Sequence, residues 1–127
     1  MKINRLDHFV ITVASIDATI DFYTRALGME VVRFGGNRTA LTFGPSKINL
    51  HQVGNEFEPK ARRPTPGSAD LCLIVNDSIA EVADQLASIG VAIEEGPIGR
   101  TGATGPITSV YLRDPDGNLI ELSNYVA

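Results

Sequence analysis

An internal repeat is the feature of this sequence that most restricts its fold. Residues 8–13 can be laid on residues 70–75 without a gap, and residues 47–51 can be laid on residues 119–123. In both halves a strand pattern is followed by an amphipathic helix and three further strand patterns. We therefore predict an α+β protein made of two β-α-β-β-β modules. If each module curls its sheet and the two sit edge to edge, they form a curved, open, barrel-like mixed sheet with outer helices.

The first module of this single 127-residue domain is predicted to span residues 1–53. Residues 6–13 are rich in β-branched and aromatic side chains, which favour a strand. Ser15 is a candidate N-cap, and Gly28 is typical of the residue that follows a helix. Glycine-containing turns then separate three strand patterns, at residues 29–34, 38–43 and 47–53.

Residues 54–68 interrupt the pattern and are predicted to form a connector. They contain three prolines and two glycines and show no helical or strand period. The composition favours a solvated linker, although its basic side chains are also candidates to contact an anionic substrate: Lys60, Arg62 and Arg63.

The second module is predicted to span residues 69–127. Ser78 and Glu81 have the spacing of a helix capping box, and Gly90 is typical of a helix end. Glycines punctuate residues 96–106, which we expect to form a loop whose residues 100–105 are flexible enough to act as a lid. Strand patterns occur at residues 69–75, 91–94, 107–113 and 118–124.

A turn motif near the C-terminus leads into the most unusual position of the chain. Pro115 and Gly117 make residues 114–117 a tight turn. In the strand that follows, Glu121 lies between Ile120 and Leu122. A carboxylate at this point of a core strand needs a partner unless its face is exposed to water. Glu121 is therefore a candidate metal ligand or catalytic base.

The repeat brings other polar residues into register with Glu121. His8 corresponds to Asp70, and Asn49 corresponds to Glu121. His51 lies two residues beyond Asn49 and so points to the same face of its strand. Both histidines of the chain thus fall, with two carboxylates, on the first and last strands of the two modules.

Composition excludes several partners. A net charge of −4 argues against nucleic acid and anionic membranes, because phosphate binding needs a basic surface. No apolar run is long enough to span a bilayer, and residues 1–15 show no signal-peptide pattern. The single cysteine, Cys72, fits a reducing cytoplasmic location, and its apolar neighbours predict a buried, inert thiol.

Specific motifs make the pattern resemble a known group. The chain has Leu-Asp-His-Phe-Val-Ile-Thr-Val at residues 6–13, Asp-Phe-Tyr-x-x-x-Leu-Gly-Met at 21–29, and Asp-Pro-Asp-Gly-Asn-Leu-Ile-Glu-Leu at 114–122. With the paired modules, these resemble the vicinal oxygen chelate superfamily, which includes glyoxalase I, extradiol dioxygenases and metal-free bleomycin-binding proteins. Residues 49–61, Asn-Leu-His-x-Val-Gly-x-Glu-Phe-Glu-Pro-Lys-Ala, are similar to a small lactoylglutathione-lyase-like subgroup.

The resemblance implies one divalent metal ion per site, with zinc, nickel, manganese, cobalt and iron left unresolved. The superfamily's first-strand histidine matches His8, and its last-strand glutamate matches Glu121. Asn49 stands where a glutamate or glutamine is usual, and Asp70 stands where a histidine is usual. Because His51 is a better donor than Asn49, we expect a site of His8, His51 and Glu121, with Asp70 as fourth ligand or as base.

Three functions are compatible with this donor set. A glyoxalase-type lyase or isomerase would act on the hemithioacetal of an α-oxoaldehyde such as methylglyoxal with a thiol such as glutathione, with Glu121 or Asp70 moving the proton. An iron-dependent extradiol-type dioxygenase is disfavoured because such enzymes usually carry four modules. A metal-free antibiotic-binding protein is disfavoured by the retained His8 and Glu121.

Substrate contacts and assembly complete the expectations. Candidates to bind a small-molecule substrate are Asn49, Arg38, Arg100, Tyr111 and Arg113. Superfamily members with two modules commonly form homodimers with shared sites. By that resemblance, His8 and His51 of one subunit would meet Asp70 and Glu121 of the other.

Overall fold

The computed structural model describes residues 1–127 as two compact units, Met1–Ser68 and Ala69–Ala127. Each unit contains one helix and one four-stranded mixed sheet, in the chain order β-α-β-β-β. The α+β class and the repeated module are therefore confirmed, and the sheets are not closed into a barrel. Neither helix is long and apolar enough to cross a membrane.

The first unit is built around the parallel pairing of its first and last strands. The strand order in the sheet is β1-β4-β3-β2, with β1 parallel to β4 and the other neighbours antiparallel. The elements are β1 (His8–Val13), α1 (Ile16–Arg25), β2 (Glu30–Phe34), β3 (Arg38–Phe43) and β4 (Ser46–Gln52).

Helix α1 covers the apolar face of this sheet. As predicted, Ser15 caps the helix, and its hydroxyl accepts a hydrogen bond from the Ala18 N–H at 3.1 Å. The helix buries Phe22 and Tyr23, and the sheet buries its own apolar residues: Ile11, Val13, Leu41, Ile48 and Leu50. The helix ends at the C-cap Ala26, so Gly28 is one residue further from the helix than the sequence predicted.

The second unit repeats this topology. Its strand order is β5-β8-β7-β6, with β5 parallel to β8. The capping box is confirmed, since Ser78 Oγ accepts from the Glu81 N–H and the Glu81 carboxylate accepts from the Ser78 N–H. The elements are β5 (Asp70–Ile74), α2 (Ile79–Ser88), β6 (Glu95–Thr101), β7 (Pro106–Arg113) and β8 (Leu119–Tyr125).

Strand β6 corrects the sequence prediction. We expected a strand at residues 91–94 and a loop at 96–106, but the strand runs through Glu95–Thr101. The strand lies at the sheet edge and pairs with β7 alone, with a register shift between Glu95 and Ile98. An edge strand with such an irregularity tolerates Pro97 and the neighbouring glycines, because the missing hydrogen bonds are not needed. Arg100 and Thr101, expected in a lid, therefore belong to the sheet.

The turn that enters β8 is held by one buried carboxylate. Asp114 accepts hydrogen bonds from the Asp116 N–H at 2.9 Å, the Asn118 N–H at 2.9 Å and the Asn118 amide at 2.7 Å. Gly117 supplies the positive φ of +86° that the turn requires. Asn118 in turn accepts from the Ala69 N–H at 2.8 Å, which ties the turn to the start of β5.

We expect Asp114→Ala to lower the free energy of unfolding by about 2–4 kcal/mol, because it leaves buried donors without an acceptor. Urea unfolding measures the change. Asp84→Ala is the matched control, since it removes an exposed carboxylate from α2 and should shift stability by less than about 0.5 kcal/mol. Equal effects of the two substitutions would contradict this view of the turn.

Candidate functional site

The strand registers place the candidate residues on equivalent faces of the two sheets. His8 lies opposite Lys47 in the first sheet, and Asp70 lies opposite Leu119 in the second. Two residues further along each ladder, Asn49 lies opposite Val10 and Glu121 lies opposite Cys72. The alignment of the two repeats is thereby confirmed. These residues share the sheet face that faces away from the buried apolar side chains, called here the polar face of each sheet.

On the polar face of the first sheet, His8 is exposed and its ring is oriented by a neighbour. Its Nδ1 lies 2.8 Å from the Asp7 carboxylate. Because an ionised carboxylate can only accept, Nδ1 donates this hydrogen bond, and in the neutral form of the ring Nε2 then carries the lone pair. The hydrogen bond from His8 also lowers the pKa of Asp7. A carboxylate behind the far ring nitrogen is the arrangement found behind metal-binding histidines.

Asn49 and His51 are buried on the same face with polar atoms left unpaired. Their exposed fractions are 7% and 3%. Neither Asn49 Oδ1 nor His51 Nε2 has a hydrogen-bond partner. A buried polar atom without a partner costs about 1–3 kcal/mol, so native proteins rarely leave one unless a ligand or ion uses it.

Two neighbours shape the environment of His51. The Phe57 ring packs edge-on against the imidazole, with centroids 5.6 Å apart. Loss of water, and then the positive charge of Arg38, lower the pKa of His51. The imidazole is therefore neutral at pH 7, which is the form that binds metals or shares a hydrogen bond with a ligand.

The connector is mostly exposed to solvent, as the sequence predicted, and none of its residues is buried. Residues 54–68 form no helix or strand, as expected. However, the Glu56 side chain is only 8% exposed; it accepts from the Gly54 N–H at 2.8 Å and pairs with Lys60. Phe57 joins the segment to the polar face through its contacts with His51 and Arg38, whereas Glu56 pairs within the connector itself.

The strand register sets different distances from His8 to the other two candidates of the first unit, Asn49 and His51. His51 lies opposite Thr12, four residues along β1 from His8. That separation is about 13 Å along the strand, whereas Asn49 is only about 7 Å from the level of His8. The register therefore brings Asn49 nearer to His8 than it brings His51.

On the polar face of the second sheet, Glu121 is half-buried and held by hydroxyl groups. Ser109 donates to Glu121 Oε2 at 2.6 Å, and Ser123 lies 3.4 Å from the same oxygen. Ser109 and Ser123 are themselves 2.6 Å apart and fully buried. The carboxylate thus has a fixed orientation and remains at the edge of a cleft.

This cleft has a volume of about 370 Å³ and is lined by β5, β6, β7 and β8. Arg100 lies along it, donating through Nε to the Tyr111 hydroxyl at 3.1 Å and through another nitrogen to Glu95 at 3.2 Å. Loss of water and the charge of Glu121 raise the pKa of Tyr111, although Arg100 opposes them. Tyr111 therefore remains a protonated hydrogen-bond donor at neutral pH.

Asp70 and Arg113 lie at the outer end of this face. Asp70 is exposed, two residues along the ladder from the level of Glu121. Arg113 donates to both oxygens of Glu94 at 3.0 Å and to the Gly117 carbonyl at 3.1 Å. These contacts give Arg113 a role in supporting the turn; its substrate contact stays a prediction.

The environment of Cys72 corrects the sequence prediction of a buried thiol. Cys72 is exposed, because β5 is an edge strand in which only alternate residues face the apolar side. Its sulfur lies 3.3 Å from the Ser123 hydroxyl and lines the cleft beside Glu121. Partial loss of water around the sulfur raises the pKa of Cys72, which keeps the thiol protonated and unreactive.

The donor types present on the two polar faces are ones that bind divalent metals. No group of three or more His, Cys, Asp or Glu side chains converges in the single chain. The available donors are nevertheless suitable: an oriented imidazole at His8, unpaired buried atoms at Asn49 and His51, and a positioned carboxylate at Glu121.

Sequence reasoning missed three residues of these faces. Asp7 precedes His8 directly, so its proximity was visible in the chain. Ser109 lies two residues before Tyr111 in β7, so the sequence indicates that the two side chains share one face of the strand. The sequence does not indicate that Ser109 reaches Glu121. The contact of Phe57 with His51 could not be predicted, because Phe57 lies in the connector, which has no helical or strand periodicity.

Paired β-α-β-β-β units, each with one helix on a four-stranded mixed sheet, define the fold class of this chain. The chain belongs to the Glyoxalase/Bleomycin resistance protein/Dioxygenase superfamily, whose family model matches residues 5–122.

Two relatives match nearly the whole chain. The glyoxalase domain-containing protein RDO1 of Mycosarcoma maydis is 60% identical over 98% of this chain and 70% of its own length. Virulence protein STM3117 of Salmonella typhimurium is 59% identical over 99% of this chain and 88% of its own length. The crystal structure of STM3117 superposes with a TM-score of 0.98, covering 99% of this chain and 100% of that chain.

More distant matches include proteins with named activities. Biphenyl-2,3-diol 1,2-dioxygenase 2 of Rhodococcus globerulus is 30% identical over 91% of this chain, which spans 60% of that enzyme. Lactoylglutathione lyase of Agrobacterium tumefaciens, 21% identical, has a TM-score of 0.74 and covers 97% of this chain and 95% of its own. The antibiotic-binding protein TnmS3 of Streptomyces, 23% identical, has a TM-score of 0.76 and covers 99% of both chains. The last two show that the fold is shared.

The lowered pKa of His51 makes the stability of the metal-free protein depend on pH. The unfolded chain keeps the ordinary value of 6.5 and so binds a proton first as the pH falls. The part of the free energy of unfolding that depends on neutral His51 is therefore fully present above pH 6.5. It is lost progressively as the pH falls towards the pKa of His51 in the folded protein. We expect the urea midpoint in EDTA to fall between about pH 7.5 and about pH 5, and to fall less in His51→Gln. Identical pH profiles would contradict a buried neutral His51.

Proposed function

We propose that the protein is a divalent-metal-dependent lyase or isomerase of glyoxalase type. Its substrate would be the adduct of an α-oxoaldehyde, such as methylglyoxal, with a thiol such as glutathione. The observation that carries this proposal is the pair of buried, unpaired atoms on β4, Asn49 Oδ1 and His51 Nε2. They are electron-pair donors kept dry and unused beside an oriented histidine, which is costly unless a ligand or ion occupies that face.

The residues proposed to hold the metal are His8 and Glu121, with Asn49 as the first-unit donor nearer to His8 and Asp70 as a fourth ligand or as the base. His51, about 13 Å from His8 along the strands, would face the substrate instead of sharing the ion. When bound, the metal would polarise the adjacent oxygens of the substrate and so acidify the neighbouring C–H bond. The Asp7 carboxylate supports this role by keeping Nε2 of His8 free to bind.

Proton movement is assigned to a carboxylate of the second unit. Glu121 would take a proton from one carbon and return it to its neighbour, and Asp70 is the alternative base. Ser109 would hold Oε2 of Glu121, so that the carboxylate approaches the substrate in one orientation. Arg100 and Tyr111 line the cleft beside Glu121 and would position the substrate.

A homodimer with shared sites is the proposed assembly. This proposal rests on the resemblance to the superfamily, whose members with two modules commonly pair. His8 of one subunit, with Asn49 in place of the more distant His51, would then work with Asp70 and Glu121 of the other.

A second candidate is ring cleavage of an aromatic diol by an iron-dependent dioxygenase. It is favoured by the 30% identity to biphenyl-2,3-diol 1,2-dioxygenase 2. Two histidines and one carboxylate also suit iron(II) chemistry with oxygen.

Metal content tests the site directly. We expect untagged protein to hold about one equivalent of a divalent metal per chain by elemental mass spectrometry, and His8→Ala and Glu121→Ala to lose it. Asp84→Ala, which removes an exposed carboxylate of α2, should keep the metal. If wild-type protein takes up no nickel, zinc, manganese or iron(II), the metalloenzyme proposal fails and a metal-free binding function replaces it.

Turnover separates the two enzyme candidates. We expect the metal-loaded protein to consume the methylglyoxal–thiol adduct without oxygen uptake, and Glu121→Gln to lower kcat by at least about 10²-fold through loss of the base. Oxygen consumption with a catechol, in place of adduct loss, would establish the dioxygenase alternative.

A further inference from the structure

Two serine side chains are completely buried on the polar face of the second sheet, next to Glu121. Ser109 on β7 and Ser123 on β8 lie directly opposite each other across the ladder, and both are 0% exposed. Their hydroxyl oxygens are 2.6 Å apart. Burying a hydroxyl group is costly unless its proton and lone pairs find partners, so the pair must be connected to a further polar group.

The contacts determine which atom donates each hydrogen bond. An ionised carboxylate only accepts, so Ser109 donates its one proton to Glu121 Oε2, 2.6 Å away. Ser123 then supplies the proton between the two hydroxyl oxygens, because oxygens 2.6 Å apart repel each other unless a proton lies between them. With that proton used, the Ser123 oxygen accepts from the Cys72 thiol, 3.3 Å away. We call this directed series, from Cys72 through Ser123 and Ser109 to Glu121, the hydroxyl network.

The hydroxyl network ends on one oxygen of the carboxylate. Ser109 and, at the longer distance of 3.4 Å, Ser123 both contact Oε2 of Glu121. Tyr111 lies directly opposite Glu121 and interacts with the carboxylate from the cleft side. Consecutive hydrogen bonds polarise one another, and buried hydrogen bonds to a ligating carboxylate fix its orientation.

The first unit shows that the fold does not require such a network. The ladder registers make Asn49 the counterpart of Glu121, and His51 the counterpart of Ser123. These two residues do not satisfy each other, since each keeps a buried polar atom without a partner. The buried hydroxyl pair therefore accompanies the carboxylate of the second unit and is not a consequence of the shared topology.

We propose that Ser109 and Ser123 are positioning residues that set the metal affinity of Glu121 by holding its Oε2 and leaving Oε1 as the ligand oxygen. Ser109 acts by direct contact with the carboxylate. Ser123 acts through Ser109, because it fixes the direction in which the Ser109 hydroxyl donates. The effect on metal affinity rests on the proposed function, whereas the transmission from Ser123 through Ser109 to Glu121 does not.

Metal affinity tests the positioning role. The Kd of the full chain for zinc is measured by competition with a chromogenic chelator, and the melting temperature of each variant is measured in EDTA. We expect Ser109→Ala and Ser123→Ala each to raise the Kd about tenfold or more, the usual effect of removing the hydrogen-bond partner of a metal ligand.

A control separates positioning from folding. Thr19→Ala removes an equally buried hydroxyl group, which donates to the Ser15 carbonyl at 2.9 Å in the first unit. It should lower the melting temperature and leave the Kd for zinc unchanged. A wild-type Kd in either serine variant, or a rise of the same size in Thr19→Ala, would overturn the proposal.

The direction of the hydroxyl network is tested by combining the two serine substitutions. Because Ser123 acts through Ser109, we expect the double variant to have the same Kd as Ser109→Ala, within about twofold. Independent effects that multiply in the double variant would show that Ser123 reaches Glu121 by itself, and the network would be refuted.

A metal-free measurement separates this inference from the proposed function. In EDTA, urea unfolding of Ser123→Ala, Glu121→Gln and their combination measures the coupling between the two side chains. We expect a coupling that disappears when the same cycle is repeated in Ser109→Ala. Wild-type protein that binds no zinc would refute the proposed function and the positioning role with it. The coupling in EDTA would still decide the network: a persistent coupling without Ser109, or none with it, would refute it.

Discussion

The parallel pairing of first and last strands is the constraint on which the rest of each unit depends. β1 lies beside β4, and β5 lies beside β8, although the paired strands are separated in sequence by a helix and two other strands. This pairing brings residues from the two ends of a module to the same sheet face. It also leaves the opposite face to be covered by the helix, so that one side becomes the core and the other collects polar groups.

The polar faces of the two sheets differ in how far their polar groups are paired. In the first unit, Asn49 and His51 are buried with unpaired atoms, and Arg38 and Lys47 lack carboxylate partners. In the second unit the polar groups satisfy one another, since Ser109 and Ser123 both approach Glu121. The first face therefore keeps buried polar atoms without partners, whereas the hydroxyl groups of the second hold one carboxylate in a fixed orientation.

Local sequence patterns predicted the helices and most strands well. They failed where the conformation or burial of a residue depends on a strand or layer that is distant in sequence. The capping box at Ser78 depends on contacts three residues apart, so the sequence alone was sufficient. β6 was missed because its glycines and Pro97 indicate a loop, yet pairing with β7 holds it as an edge strand. Cys72 was predicted to be buried because its run is apolar, but burial depends on whether a second layer covers that face.

The sequence by itself determined the repeat, the turn at residues 114–117 and the sets of residues that share a strand face, because these follow from local periodicity and turn chemistry. Only the tertiary structure decided that Phe57 packs on His51, that Ser109 reaches Glu121, and that Lys47 and Arg38 meet at Phe34. Such contacts depend on the register between distant strands and on the path of a connector without a period. Neither is encoded in the spacing of residues along one strand.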